Sequence, residues 1–258
     1  MISDLCTVTN SRYIKNALLL IESYKRHKYN YNHIYLYYFG VETTQLQAMQ
    51  MAYPDIIFLN IPKVCSYAHE NRIFFYKAYV LQDMITRSDA FIYSDATNLF
   101  TKYIDISDYL IHNSLLLPYN ENRLQNQYWT TKKCFTKMNT ESSYDKTQYW
   151  AGFQAYVCDE NNKKFISEMY DYMLDPEIAL PSTDIDYPDG PNSPCISHRQ
   201  DQSVLSLLID KNNRHPEFNI FTQYLFGDLQ TFQLFNKDYS TATHNIQSCI
   251  ASRVSKNI

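Results

Sequence analysis

Residues 89–100 place a single carboxylate between two apolar stretches: Asp89-Ala-Phe-Ile-Tyr-Ser-Asp-Ala-Thr-Asn-Leu-Phe100. Ala90 to Tyr93 reads as a buried strand that delivers Asp95 to its C-terminal edge, flanked by the hydroxyls of Ser94 and Thr97. Ligands of open α/β sheets bind in the crevice beyond such strand ends. A carboxylate beside small hydroxyls suits a hard divalent cation that also grips substrate phosphates. The competing reading is that Asp95 only caps the following turn. A second constellation is His198-Arg-Gln-Asp-Gln-Ser203, where Asp201 and Gln202 open a predicted helix beside two basic residues. An acidic residue there is stabilised by the helix dipole, which by itself accounts for Asp201. Arg72 and Lys77 are cations on the predicted helix that precedes the strand ending at Asp95. Five residues apart on a predicted helix, they point roughly 140° away from each other, so both cannot aim at one phosphate.

Composition narrows the possible chemistry. The chain has 258 residues and a net charge of -4, without a basic block, which gives no electrostatic footprint for nucleic acid. With only four glycines, it lacks both the Walker A loop and the dinucleotide fingerprint. Any nucleotide is therefore bound another way. Six scattered cysteines form no C-x-x-C pair, so neither a zinc site nor a disulfide framework is expected. No apolar run reaches the length of a membrane span, and the first residues have no leader pattern. The expectation is a soluble, cytoplasmic protein with a single domain over 1–258: a nucleotide-binding half to residue 100, an acceptor-side half over 101–249 and a polar tail over 250–258.

Periodicity supplies the elements that must position these residues. Strands are expected at Leu5–Thr9, His33–Phe39 and Ile56–Ile61. Helices are expected at Tyr13–Arg26, Thr44–Ala52 and Arg72–Met84. Strand and helix alternate, which predicts a mostly parallel sheet with crossover helices. Beyond residue 100, Ile111–Pro118 and Trp150–Val157 read as strands. Lys132–Met138, Asn161–Met173 and Gln202–Ile209 read as helices. The proline-rich, acidic stretch 175–192 is expected to be a functional loop.

Cys6-Thr-Val-Thr-Asn10, Arg72 with Lys77, Tyr93-Ser-Asp-Ala-Thr97, and Ala151-Gly152 followed by His198-Arg-Gln-Asp-Gln-Ser203 occur in an order that resembles GT-A fold glycosyltransferases. The likeness is greatest to the family 8 type and to related enzymes of bacterial surface and large-virus glycan synthesis. It implies a single Rossmann-like α/β domain that moves a sugar from a UDP-sugar donor to a hydroxyl of a glycan acceptor. It further implies that Mn²⁺ or Mg²⁺ on the donor diphosphate is held by Asp95, Thr97 and His244. Thr97 stands where the family has a second carboxylate, which weakens that metal site. Thr7, Thr9, Asn10 and Tyr13 would meet the nucleoside; Arg72, Lys77, Tyr93, Ser94 and Asp95 the diphosphate side. Ala151, Gly152, His198 and Arg199 would flank the donor sugar. Asp201 and Gln202 would be catalytic, orienting sugar hydroxyls or acting as general base. Trp150, in place of the family's Asn, either stacks on a sugar or belongs to the core.

Two rivals remain. One is a catalytically weak relative that binds a nucleotide-sugar or glycan. The other is a nucleotidyltransferase, disfavoured because residues 5–26 contain no glycine for its phosphate loop.

Overall fold

The computed structural model describes residues 3–27, 31–100, 106–117, 125–180, 188–190 and 192–214. His244 and the tail 250–258 lie outside the described residues. The first half alternates as its periodicity predicts: β1 (Asp4–Thr9), α1 (Ile14–Arg26), β2 (Ile34–Tyr38), α2 (Thr43–Ala52), β3 (Ile56–Asn60), α3 (Phe75–Met84) and β4 (Ala90–Ser94). The second half contributes α4 (Ile106–Asn113), β5 (Leu115–Leu116), α5 (Asn126–Trp129), α6 (Lys132–Met138), β6 (Phe153–Val157), α7 (Glu160–Leu174), α8 (Pro176–Ala179) and α9 (Gln200–Lys211).

Six strands form one sheet in the order β3-β2-β1-β4-β6-β5. β1 pairs in parallel with both β2 and β4, and β3 with β2, whereas β6 runs antiparallel to β4 and β5. The fold class is therefore α/β with a mixed, mostly parallel sheet. The chain leaves β1 towards β2 and β3, then returns past β1 to build β4. That reversal of strand order opens a crevice beyond the C-terminal ends of β1 and β4, the place where such sheets bind ligands.

Side chains along each strand alternate between two apolar cores. Leu5, Ile34, Leu36, Ile92 and Phe153 face one core, with α1 behind it. Cys6, Val8, Tyr35, Tyr37, Phe91 and Tyr93 face the other, with α3, α7 and α9 behind it. This period-two alternation sorts the site as well as the cores. Asp95 continues the Phe91–Tyr93 series and so projects on the side of α3 and α9. Thr7 and Thr9 continue the Leu5 series and project on the opposite side.

Three sequence expectations are corrected. Arg72 is not helical: α3 starts at Phe75, after Phe74 takes a left-handed backbone (φ 61). The 140° argument separating Arg72 from Lys77 therefore does not hold. The stretch expected as the strand Ile111–Pro118 is divided between the end of α4 and the two-residue β5. Ile111 stands exposed on that helix while Leu110 is buried, because a short apolar run fits either period. Within the acidic loop, Asp175 caps α8 by accepting from Glu177 N, with Pro176 at the first helical position.

Candidate active site

A cavity of about 830 Å³ lies at the strand-order reversal, a size typical of small-molecule sites. Asp95, Ala96 and Thr97 line it just beyond β4, Val8 at the end of β1, and Arg12 and Tyr13 at the start of α1. Residues 69–72 with Phe74 and Tyr76 form the wall ahead of α3, and Pro188, Ser197, His198 and Gln200 close the side ahead of α9.

Beneath the cavity, Lys77 joins two carboxylates. Its Nζ lies 3.1 Å from Asp95 Oδ1 and 2.9 Å from Asp201 Oδ2, and it donates to Asp95 Oδ2 at 3.2 Å. The contact to Asp201 is an ion pair without the alignment of a hydrogen bond. Tyr93 adds a phenolic donor to Asp95 Oδ1 at 2.9 Å. The side chains of Lys77 and Asp201 are each 6% exposed, whereas Asp95 is 29% exposed and opens to the cavity. Burial works against the charge on Lys77, but the carboxylates of Asp201 and Asp95 more than offset it and raise the ammonium pKa well above the ordinary lysine value. Burial pushes the Asp201 carboxyl upward, opposed by Lys77 and by the backbone N–H of Gln202. With both carboxylates ionised, the trio carries one net negative charge, presented through Asp95.

The backbone fixes where Asp95 stands. Its N–H donates to Gly152 O at 2.8 Å, and Asn98 Nδ2 donates to the same carbonyl at 2.7 Å and to Ser94 Oγ at 3.1 Å. The turn after β4 is thereby clamped to the start of β6. Packing calls for glycine at 152, because a Cβ there would meet the Trp150 indole at 2.7 Å. Trp150 packs against the α1-side core, and Ala151 is buried in the other.

The remaining predicted site residues separate into those at the cavity and those turned from it. Tyr13, Arg72, Tyr93, Asp95, Thr97 and His198 line it. Thr7 and Thr9 are buried on the opposite face, leaving Val8 as the β1 side chain in the wall. Asn10 is committed to structure: its Oδ1 accepts from Arg12 N at 3.0 Å and its Nδ2 donates to Asn71 Oδ1. Ser94 is buried as the acceptor for Asn98. Gln202 donates to Gln148 Oε1 at 2.8 Å, in a buried network with Thr130 and Ser203. Arg199 stacks its guanidinium 4.1 Å over the Trp129 ring. His198 uses both ring nitrogens on backbone groups, with Nε2 2.7 Å from Ile178 O and Nδ1 accepting from Thr131 N at 3.4 Å. Burial lowers its pKa, which keeps the ring neutral. Asp201, Gln202 and Arg199 look alike in sequence, and only packing assigns one to Lys77, one to Gln148 and one to Trp129.

The sequence reading missed Arg12, His69 and Asn71. Arg12 had a usable signal, a cation two residues past a strand-ending Asn at a helix start. His69 and Asn71 had none, since the long connection from β3 to α3 carries no period.

The described residues do not fit a divalent cation on Asp95. Both of its oxygens already face an ammonium, Thr97 offers only a neutral hydroxyl, and among the described residues no three His, Cys, Asp or Glu side chains come together to hold a metal.

No protein-family profile matches the chain. No curated protein matches it either. Among solved structures, the apo structure of the bifunctional glycosyltransferase WbbM is similar, with a TM-score of 0.51 at 12% sequence identity. The similarity covers 80% of this chain and 37% of that one. The class defined by the sheet is thus a Rossmann-like α/β domain, a fold shared with part of that protein. Among the described residues, no helix is long and apolar enough to cross a membrane.

Proposed function

We propose that the protein is a glycosyltransferase that moves a hexose or pentose from a UDP-sugar to a hydroxyl of a glycan acceptor. The observation that carries this reading is Asp95, presented to a cavity at the strand-order reversal and held from beneath by Lys77 and Asp201. The likeness in fold to a glycosyltransferase supports it.

Transfer breaks the anomeric C–O bond while positive charge grows on the sugar and negative charge on the departing diphosphate. A fixed negative charge beside the sugar and fixed cations beside the diphosphate stabilise both changes. Asp95 is a carboxylate open to the cavity at the end of β4, and it accepts from sugar hydroxyls in this reading. Asp201 is a positioning residue: it holds Lys77, and Lys77 holds Asp95. Tyr13 offers an aromatic face to the nucleobase. Because the Lys77–Asp201 pair is buried, Asp95 enters the reaction already oriented and loses little freedom on binding. Neutral His198, with both nitrogens engaged, shapes the pocket and carries no proton in the transfer.

The test is thermal shift with a panel of nucleoside diphosphates and UDP-sugars, followed by donor hydrolysis and transfer assays. Uridine-selective stabilisation with turnover is expected, because a ligand that binds the folded state raises its apparent stability. Asp95→Asn should lower kcat at least a hundredfold, the scale of losing one preorganised electrostatic group. Binding without hydrolysis or transfer would instead identify a nucleotide-sugar binding module. Absence of any shift across the panel would end the donor reading.

A further inference from the structure

We infer that the donor diphosphate is held by the guanidinium groups of Arg12 and Arg72 in place of a divalent cation on Asp95. The inference rests on the UDP-sugar reading above and deepens it by assigning the cation.

Three observations carry it. Asp95 is already paired with a protein cation, because Lys77 Nζ lies within 3.1–3.2 Å of both Asp95 oxygens. That ammonium is buried beneath the carboxylate, so it neutralises Asp95 and Asp201 in part and has no reach into the cavity. The cations that do reach the cavity are Arg12 and Arg72, both exposed, and neither forms an ion pair among the described residues. Glu70 shares the wall with them. Their planar donor forks match phosphate oxygens.

The two arginines come from loops 60 residues apart in sequence that are strapped together. Asn10 uses its carbonyl oxygen to accept from Arg12 N, and its amide donates to Asn71 Oδ1, next to Arg72. The backbone of the first loop is fixed again by Tyr13 N donating to Asn10 O at 3.0 Å, and that of the second by Ile73 N donating to Glu70 O at 3.1 Å. A diphosphate between the guanidinium groups would meet side chains whose backbones are already fixed, which lowers the entropic cost of capture. Asn10, expected from sequence to read the nucleobase, serves here as the strap.

Isothermal titration of inorganic pyrophosphate and of UDP, each in EDTA and in Mn²⁺, tests the assignment. Arg12→Ala and Arg72→Ala are the variants, and Lys15→Ala, an exposed cation away from the cavity, is the charge control. Both arginines are exposed, so the variants retain the fold, and circular dichroism verifies that. The expected result is binding of both probes in EDTA, less than a twofold change with Mn²⁺, and roughly tenfold weaker binding for each arginine variant, the loss of one charge-assisted contact. Lys15→Ala should bind as the parent does. UDP binding that requires Mn²⁺, or that survives both arginine substitutions, overturns the clamp and leaves the glycosyltransferase reading standing. Arginine-dependent binding of pyrophosphate, with no affinity for UDP and no turnover of UDP-sugars, overturns the donor reading and leaves an anion site. Failure of both probes under all conditions overturns both.

Discussion

Two aspartates mark opposite ends of the same sheet, and their surroundings differ in kind. Asp4 begins β1 at the edge where the parallel strands start; Asp95 follows β4 at the edge where they finish. Asp4 is buried and served mainly by neutral donors: His33 N at 2.8 Å and Ser88 Oγ at 2.6 Å, with the half-exposed His33 ring 3.7 Å away. Those contacts tie β1 to the start of β2 and to the turn before β4, and they leave the carboxylate nothing further to bind. Asp95 is met by a buried cation and a phenol from one side only, and its other side opens to the cavity. A carboxylate at a strand end is therefore structural or available according to which edge it occupies. Helices α3 and α9 converge at one edge and supply charge, whereas the other edge is closed by its own loops.

Breaking the charged end should have the largest effect. Lys77→Met leaves Asp201 buried and uncompensated, and is expected to cost about 3–5 kcal/mol of stability in urea denaturation. Lys77→Arg retains the charge and should recover part of that loss. If Lys77→Met proves nearly neutral, the ammonium is not the centre of the site. Asp4→Ala, at the other end, should cost about 1 kcal/mol by removing the acceptor of the part-buried donors His33 N and Ser88 Oγ. It should leave UDP affinity unchanged, and a loss of affinity would show that the two ends are coupled.

Acid sharpens the contrast further. His198 is neutral in the folded protein with its pKa lowered by burial, while the unfolded chain protonates it at the ordinary value of 6.5. A depressed folded pKa contributes stability that is present above the unfolded value and lost as pH falls through the folded one. Stability should therefore fall by up to about 1.4 kcal/mol per pH unit below pH 6.5, read as urea midpoints between pH 7.5 and 5.5. His198→Gln should flatten this limb; an unchanged slope would assign the acid sensitivity to other groups. The smallest expected effect is at Thr7, whose hydroxyl is buried with no hydrogen-bond partner among the described residues, on the face away from the cavity. Thr7→Val should stabilise the protein by up to about 1 kcal/mol, since it removes an unsatisfied polar group. It should leave nucleotide binding intact. Weakened UDP binding would mean that the hydroxyl does reach the ligand.

Much of the fold was legible because alternating polarity reports burial directly. β1 to β4, α1, α2, α6 and α7 fall within a few residues of where their periods place them. Asp95 was legible for the same reason: a polar residue interrupting an apolar strand marks a sheet edge. The face of each strand residue was equally readable, and counting by twos from Leu5 and from Phe91 separates Thr7 from Asp95. Where the chain has no period, as in residues 62–74, neither the start of α3 nor the placement of Arg72 and Asn71 could be read. The resemblance named Asp201 but not its partner.

The sequence by itself determined the strand–helix alternation, the mostly parallel sheet and the arrival of a carboxylate at its C-terminal edge, because each depends on local spacing and local polarity. Only the tertiary structure decided that Lys77 stands between Asp95 and Asp201, that Asn10 straps Asn71, and that Gln202 and Arg199 turn away. Those outcomes depend on how α3 and α9, some 125 residues apart in the chain, pack onto the same face of β4. A buried ammonium is tolerable only where two carboxylates converge on it, and no local pattern encodes that convergence.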